Sequence, residues 1–213
     1  MVRAEPPNTE RKGKEMKTPV ELCNDALRIM GLRPDCTNID NDPTSQSDKV
    51  FHAFYNQTRR KMIKLTRPRF ACVENYKLLG TPVDPTDPNS EKQFIKPQDC
   101  LYIQKVDNTD DFTEYGRRIM VRRCAKDNAI YLNYVRDVVD TGIWTDEFDE
   151  LMAAALAKKA VAFLTKDSSA KQVCDAEYAQ QLASFNSLNA RDTKIKKKHH
   201  YLQKNMWTFP WRY

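Results

Sequence analysis

The feature that most constrains this chain is the stretch at residues 145–167, TDEFDELMAAALAKKAVAFLTKD. Thr145 is a good helix N-cap, and Asp146, Glu147, Asp149 and Glu150 place negative charge on the first turns, where the helix dipole favours it. Phe148, Leu151, Met152, Ala155, Ala162 and Phe163 recur on one helical face. Residues 153–157 are apolar and mostly alanine. Alanine is the best helix former, and its small side chain lets a neighbouring helix approach closely. At about 1.5 Å per residue the helix spans roughly 33 Å, and the rest of the chain is expected to pack on it. The acidic residues of DEFDE read as dipole compensation, not as catalytic groups.

Two helices are expected before it. Thr18 and Glu21 fit a capping box, and Pro19 suits the first helical position. Val20, Cys23, Leu27 and Met30 make the buried stripe, Gly31 closes the helix, and Pro34 lies just beyond. Residues 33–43 read as a loop. Asp42-Pro43 reads as the second helix start, with Phe51, Phe54, Tyr55, Thr58, Met62 and Leu65 as its stripe and Pro68 as its end. The opposite face carries Lys49, Arg59, Arg60, Lys61 and Lys64, which either contact phosphate or are simply solvated. His52 reads as a helix residue, not a general base.

The texture then changes. Residues 70–79 contain a short strand candidate, and residues 80–90, GTPVDPTDPNS, form a Pro-rich loop. Residues 94–106 lead through KPQDC into an apolar strand, and residues 107–116 read as a polar turn. Residues 118–124 and 129–135 alternate about a short turn and read as a hairpin. After the central helix, Asp167-Ser168 caps a fourth, with Cys174, Tyr178, Leu182, Phe185 and Leu188 as its stripe.

The expected fold is α+β and mainly α. A four-helix bundle (about 18–31, 43–66, 145–166 and 168–190) carries a small antiparallel sheet inserted between helices 2 and 3, at about 70–136. Residues 1–17 read as a flexible arm, 18–190 as the core, and 191–213 as an extended tail.

Charge is distributed unevenly. The chain carries a net +6 over 213 residues. Residues 1–17 hold +2, residues 191–213 hold +6, and the core between them holds −2. A near-neutral core with basic ends does not grip nucleic acid with its whole surface; its ends reach for something acidic.

The tail reads RDTKIKKKHHYLQKNMWTFPWRY. Lys194, Ile195, Lys196, Lys197, Lys198 and Tyr201 precede the aromatics Trp207, Phe209, Trp211 and Tyr213. Exposed aromatics of this size dock somewhere. They either fold back on their own domain or enter a groove on another subunit, with the lysines meeting acidic protein or nucleic acid. Interleaved bases and aromatics also suit single-stranded nucleic acid, a weaker reading because one short segment alone shows it.

Chemistry is sparse. None of the five glycines forms a dinucleotide or P-loop pattern, there is no G-x-S-x-G elbow, and two of three histidines lie in the tail. The cysteines at 23, 36, 72, 100, 124 and 174 form no C-x-x-C pair and read as reduced, buried thiols. Neither a metal nor a cofactor is expected, nor an enzyme. Carboxylate pairs such as Asp110 with Asp111, or Glu147 with Asp149, are the remote exception. No apolar run approaches the ~20 residues of a membrane span, so no membrane partner is expected. With no apolar leader segment, the chain reads as made in a cytoplasm.

The order of features resembles the head-to-tail connector, or adaptor, proteins of tailed bacteriophages, of the tail tubular protein A type. Four stretches carry the likeness: ELCNDALRIMGLRP at residues 21–34, RPRFA at 67–71, KPQDCL at 96–101, and the W-x-x-x-F pattern of Trp144 and Phe148 leading into the alanine-rich helix. Together they span about residues 18–190. The family often has a Trp near the position of Pro68, which is missing here, and the tail of this chain is long.

The resemblance implies a structural virion protein at the head–tail junction, assembled in the host cytoplasm. It implies a ring of twelve copies beneath the portal protein that extends the DNA channel, with genomic DNA passing through its lumen. It also implies a surface for tail or nozzle proteins. The tail segment would then dock on the portal, and Pro82, Asp84, Pro85 and Pro88 would meet a neighbouring subunit or the nozzle. The alternatives are a nucleic-acid-binding protein using its basic arms and a virion-associated cell-wall hydrolase.

Overall fold

The computed structural model describes residues 17–40, 42–83, 91–107, 111–121 and 128–206, with residues 191–206 as backbone only. The chain is α+β. It has four helices, α1 (Pro19–Ile29), α2 (Gln46–Thr66), α3 (Asp146–Leu164) and α4 (Ser168–Met206), and seven strands that lie in sequence between α2 and α3.

Local chemistry sets the first helix. The Glu21 amide donates to Thr18 Oγ1 at 3.2 Å, and the Thr18 amide donates to Glu21 Oε2 at 2.6 Å, completing the capping box. At the other end the Gly31 amide bonds to Arg28 O and the Leu32 amide to Leu27 O, both at 2.9 Å. This Schellman closure needs a positive φ at Gly31, which is +72°.

The second helix starts later than the Asp42-Pro43 pair implied. Ser45 is its N-cap, and Asp48 completes a second capping box. Asp48 won because its carboxylate also ties down the preceding loop, accepting from the Thr37, Asn38 and Ser45 amides. Burial of Asp48 opposes its ionisation, but these donors outweigh that and hold its carboxyl well below the usual carboxylate range. Of the expected stripe, Phe51, Tyr55, Thr58 and Met62 are buried; Leu65 is exposed and Ile63 is buried in its stead. Arg67 ends α2 with φ +49°. The following Pro68 disfavours the right-handed helical region at this position.

The third helix departs from the one-sided pattern. Residues 151–157 are all buried. A contiguous buried run cannot be one stripe; α1, α2 and α4 all pack on α3. Ala162 and Phe163, expected on the buried face, are exposed instead. Thr145 holds the N-cap position without a side-chain cap bond. Ahead of the helix, Trp144 is 1% exposed and meets the Phe148 ring edge-on at 5.0 Å. Phe70 stacks on Trp144, and Phe185 of α4 packs against Phe148. The W-x-x-x-F spacing is therefore the aromatic centre that joins the segment after α2 to α4.

The sheet region also differs from the expected single sheet. The strands are β1 (Cys72–Leu79), β2 (Thr81–Pro82), β3 (Lys92–Ile95), β4 (Cys100–Asp107), β5 (Phe112–Tyr115), β6 (Arg118–Val121) and β7 (Ala129–Arg136). They form two antiparallel sheets, ordered β1-β7-β4 and β2-β3-β6-β5. The expected hairpin of residues 118–124 with 129–135 is not formed, because β6 and β7 lie in different sheets. β6 pairs instead with β5, within the segment read as a polar turn, across the positive-φ Gly116. Phe94, Ile119 and Val121 of one sheet and Ile103, Val106, Ile130, Leu132 and Tyr134 of the other share one apolar cluster. Burying that cluster requires β6 and β7 to face each other across it, which a hairpin between them would prevent. Gly80 joins the sheets. A Cβ there would lie 2.5 Å from the buried Phe94 ring.

The fourth helix runs to Met206, past the expected end near residue 190. No Gly or Pro occurs between Ser168 and Met206 to stop it. Its start is capped as expected: Asp167 Oδ1 accepts from the Ser169 amide at 2.8 Å.

Candidate interaction surfaces

The residues assigned to docking fall at two places. Lys194, Ile195, Lys196, Lys197, Lys198 and Tyr201 lie on the final turns of α4. Trp207, Phe209, Trp211 and Tyr213 are outside the described residues. α4 passes Met62 of α2 at Tyr178 and Thr66 at Asn189, whose Nδ2 donates to Thr66 O at 3.2 Å. The helix therefore advances past the C-terminal end of α2 before reaching the lysines. Pro82 is exposed in β2, while Asp84, Pro85 and Pro88 are outside the described residues.

Of the two carboxylate pairs, only Glu147 with Asp149 lies wholly within the described residues. Glu147 is exposed and Asp149 is 2% exposed on the same first turns of α3. Asp111 is exposed, and Asp110 is outside the described residues. His52 is exposed, with Nδ1 2.7 Å from the Ile39 carbonyl. Among the described residues, no group of three His, Cys, Asp or Glu side chains is placed to hold a metal ion. None of the described helices is long and apolar enough to cross a membrane. Cys23, Cys36 and Cys174 are buried free thiols, and Cys72 and Cys100 are half-buried.

One residue of the basic α2 face turned inward. Arg59 is 1% exposed, and its Nη2 lies 3.1 Å from Asp137 Oδ1. Arg60 remains on the surface and donates from Nε to Asp137 Oδ2 at 2.8 Å. Burial pulls the Arg59 guanidinium below the usual arginine range, and Asp137 offsets part of that. Position 59 lies four residues after Tyr55 and three before Met62, so helical spacing sets it beside the buried stripe rather than on the face opposite it; the partner at 137 is too distant in sequence to leave a local signal. The KPQDC turn has a comparable long-range role. The Asp99 carbonyl accepts from the Asp137 amide at 2.6 Å, and Tyr134 Oη donates to Asp99 Oδ1 at 3.3 Å.

The rest of the α2 face stays outward. Lys49, Ala53, Asn56, Arg60, Lys64 and Arg67 are exposed and separated by three or four residues, so they form one strip. The Arg67 guanidinium lies 4.7 Å from the Tyr102 ring centroid and Lys64 Nζ lies 5.8 Å from it. Both cations are thus held against one aromatic face. No protein-family model and no curated protein matches this chain.

Proposed function

We propose that this chain is a non-enzymatic ring subunit of the phage head-to-tail connector kind. It would sit in the virion between portal and tail, extend the DNA channel and offer an attachment surface to nozzle proteins. The observation that carries this reading is α4, a single helix that takes the KIKKK run beyond its contact with Thr66 of the body. A cationic segment carried past a closed core is suited to docking on a different component, while the core remains free to meet its own copies. A heterologous side-by-side contact closes into a ring when its rotation permits. The anchors assigned to the portal are Trp207, Phe209, Trp211 and Tyr213, with Lys194, Lys196, Lys197 and Lys198 meeting an acidic surface.

The test is deletion of residues 191–213. The truncated protein is expected to keep its circular-dichroism spectrum and lose co-sedimentation with the portal, whereas the full chain forms rings in electron micrographs of the mixture. A truncated protein that still binds the portal overturns the docking role.

A further inference from the structure

The outward strip of α2 has a chemistry that the tail-docking reading does not use. Residues 49–73 contain no acidic side chain. Lys49, Arg60, Lys64 and Arg67 lie on one exposed face, with Asn56 between them as a neutral hydrogen-bonding group. Eighteen steps at about 1.5 Å make a strip roughly 27 Å long. Lys64 and Arg67 also offset the C-terminal end of the helix dipole. Lys49 sits in the opening turns, where that dipole disfavours a cation, so dipole compensation does not account for the whole strip.

Two features make it more than a solvated lysine face. Its arginines are held in place: Arg60 by Asp137 at 2.8 Å and Arg67 over the Tyr102 ring at 4.7 Å. Immobilised guanidiniums lose less entropy on pairing with an anion. Asp137 does not neutralise its end of the strip, because a single carboxylate serves both Arg59 and Arg60. Furthermore, Lys194 lies about 7.5 Å of helix rise beyond Asn189, the residue that touches the C-terminal end of α2. The C-terminal end of the strip, at Lys64 and Arg67, and the lysine run of α4 therefore lie toward the same end of the helical body.

We infer that the outward face of α2, from Lys49 to Arg67, binds the phosphodiester backbone of nucleic acid. Three of the four cations cluster between residues 60 and 67, Lys49 lies 11 residues before them, and Asp137 is the acid that meets this surface, so the strip presents net positive charge to a line of single negative charges; Ala53 leaves room for a strand to approach closely. The contact is to phosphate and carries no base specificity.

The test uses the full chain and short labelled oligonucleotides of mixed sequence, in duplex and single-stranded arms, titrated between ~50 and ~200 mM salt. The Lys49→Gln/Lys64→Gln variant removes two exposed cations of the strip and is expected to reduce the magnitude of the log–log salt slope by about 2, with several-fold weaker binding at fixed salt. The control, Lys166→Gln/Lys171→Gln, removes two exposed charges elsewhere and is expected to leave the slope unchanged. Loss on the duplex arm alone assigns the surface to double-stranded nucleic acid, and loss on both assigns it to the backbone in either form. No binding by the parent chain, or equal slopes for the two variants, overturns the inference. Unchanged nucleic-acid binding with lost self-association overturns it as well and gives the face to a neighbouring copy. Ring assembly is read separately by particle mass, so this inference and the ring reading fail independently.

Discussion

The helical body buries Trp144, Phe148 and the whole alanine run of α3, and contacts from α1, α2 and α4 close around them. The sheet region is built differently. Its smaller cluster around Phe94, Ile119 and Leu132 lies between two thin sheets, while Ile95 and Tyr115 stay 62% and 65% exposed on the outside. Val135 of β7 belongs to the helical core, whereas Ile130, Leu132 and Tyr134 of the same strand belong to the sheet cluster. The contrast teaches that β7 is the shared wall. Damage to the body is therefore expected to reach the sheets, and damage to the outer sheet to stop at β7.

The most damaging way to test that asymmetry is Trp144→Ala. It removes the ring that ties Phe70 and Phe148 together and is expected to cost about 3–5 kcal/mol. Denaturant titration followed by far-ultraviolet circular dichroism would measure it, with helix and sheet signals lost together. A sheet that outlasts the helices would break the comparison.

A smaller effect is expected at Asp48, where Asn keeps the size but loses the charge that gathers the loop amides. Asp48→Asn is expected to cost about 2–3 kcal/mol near neutral pH. The folded Asp48 ionises more readily than an unfolded aspartate, whose pKa is about 3.9. Its contribution is therefore complete above that value and is lost as pH falls below it. The stability gap between parent and variant should narrow on acidification below about pH 4. A gap that stays constant down to pH 3 would remove the charge from the explanation.

The mildest and most local test is Gly80→Ala. The added methyl meets the Phe94 ring, and the overpacking is expected to cost about 1–2 kcal/mol. Hydrogen exchange should quicken in β2, β3 and β6 and stay unchanged in α1 and α3. Uniform quickening would show that the outer sheet and the body unfold as one unit.

Much of the body was legible because its signals are local. Thr18, Glu21 and Gly31 bond within α1's own turns, and Asp167 caps α4 two residues away. The four helices and the placement of β structure between α2 and α3 followed from such spacings. The second capping box was missed even though Ser45 and Asp48 carry it. Asp42-Pro43 offered a competing local start, and only the Thr37 and Asn38 amides, brought near by the loop, decide between them. For the candidate surfaces, Lys49, Arg60 and Lys64 were visible as a basic face of α2, whereas Arg67 was not and Arg59 turned inward; the KIKKK run was visible as composition.

By itself the sequence determined where three of the four helices begin, that a strand-rich segment separates two helical pairs, and that positive charge collects on α2 and at the chain's end. Tertiary structure alone decided that Arg59 finds Asp137, that β6 joins β5 while β7 joins β1 and β4, and that residues 151–157 of α3 are all covered. The reason is range. Caps, turns and helical stripes are settled by atoms a few residues apart, whereas strand partners and buried ion pairs are settled by which distant surfaces exclude water together.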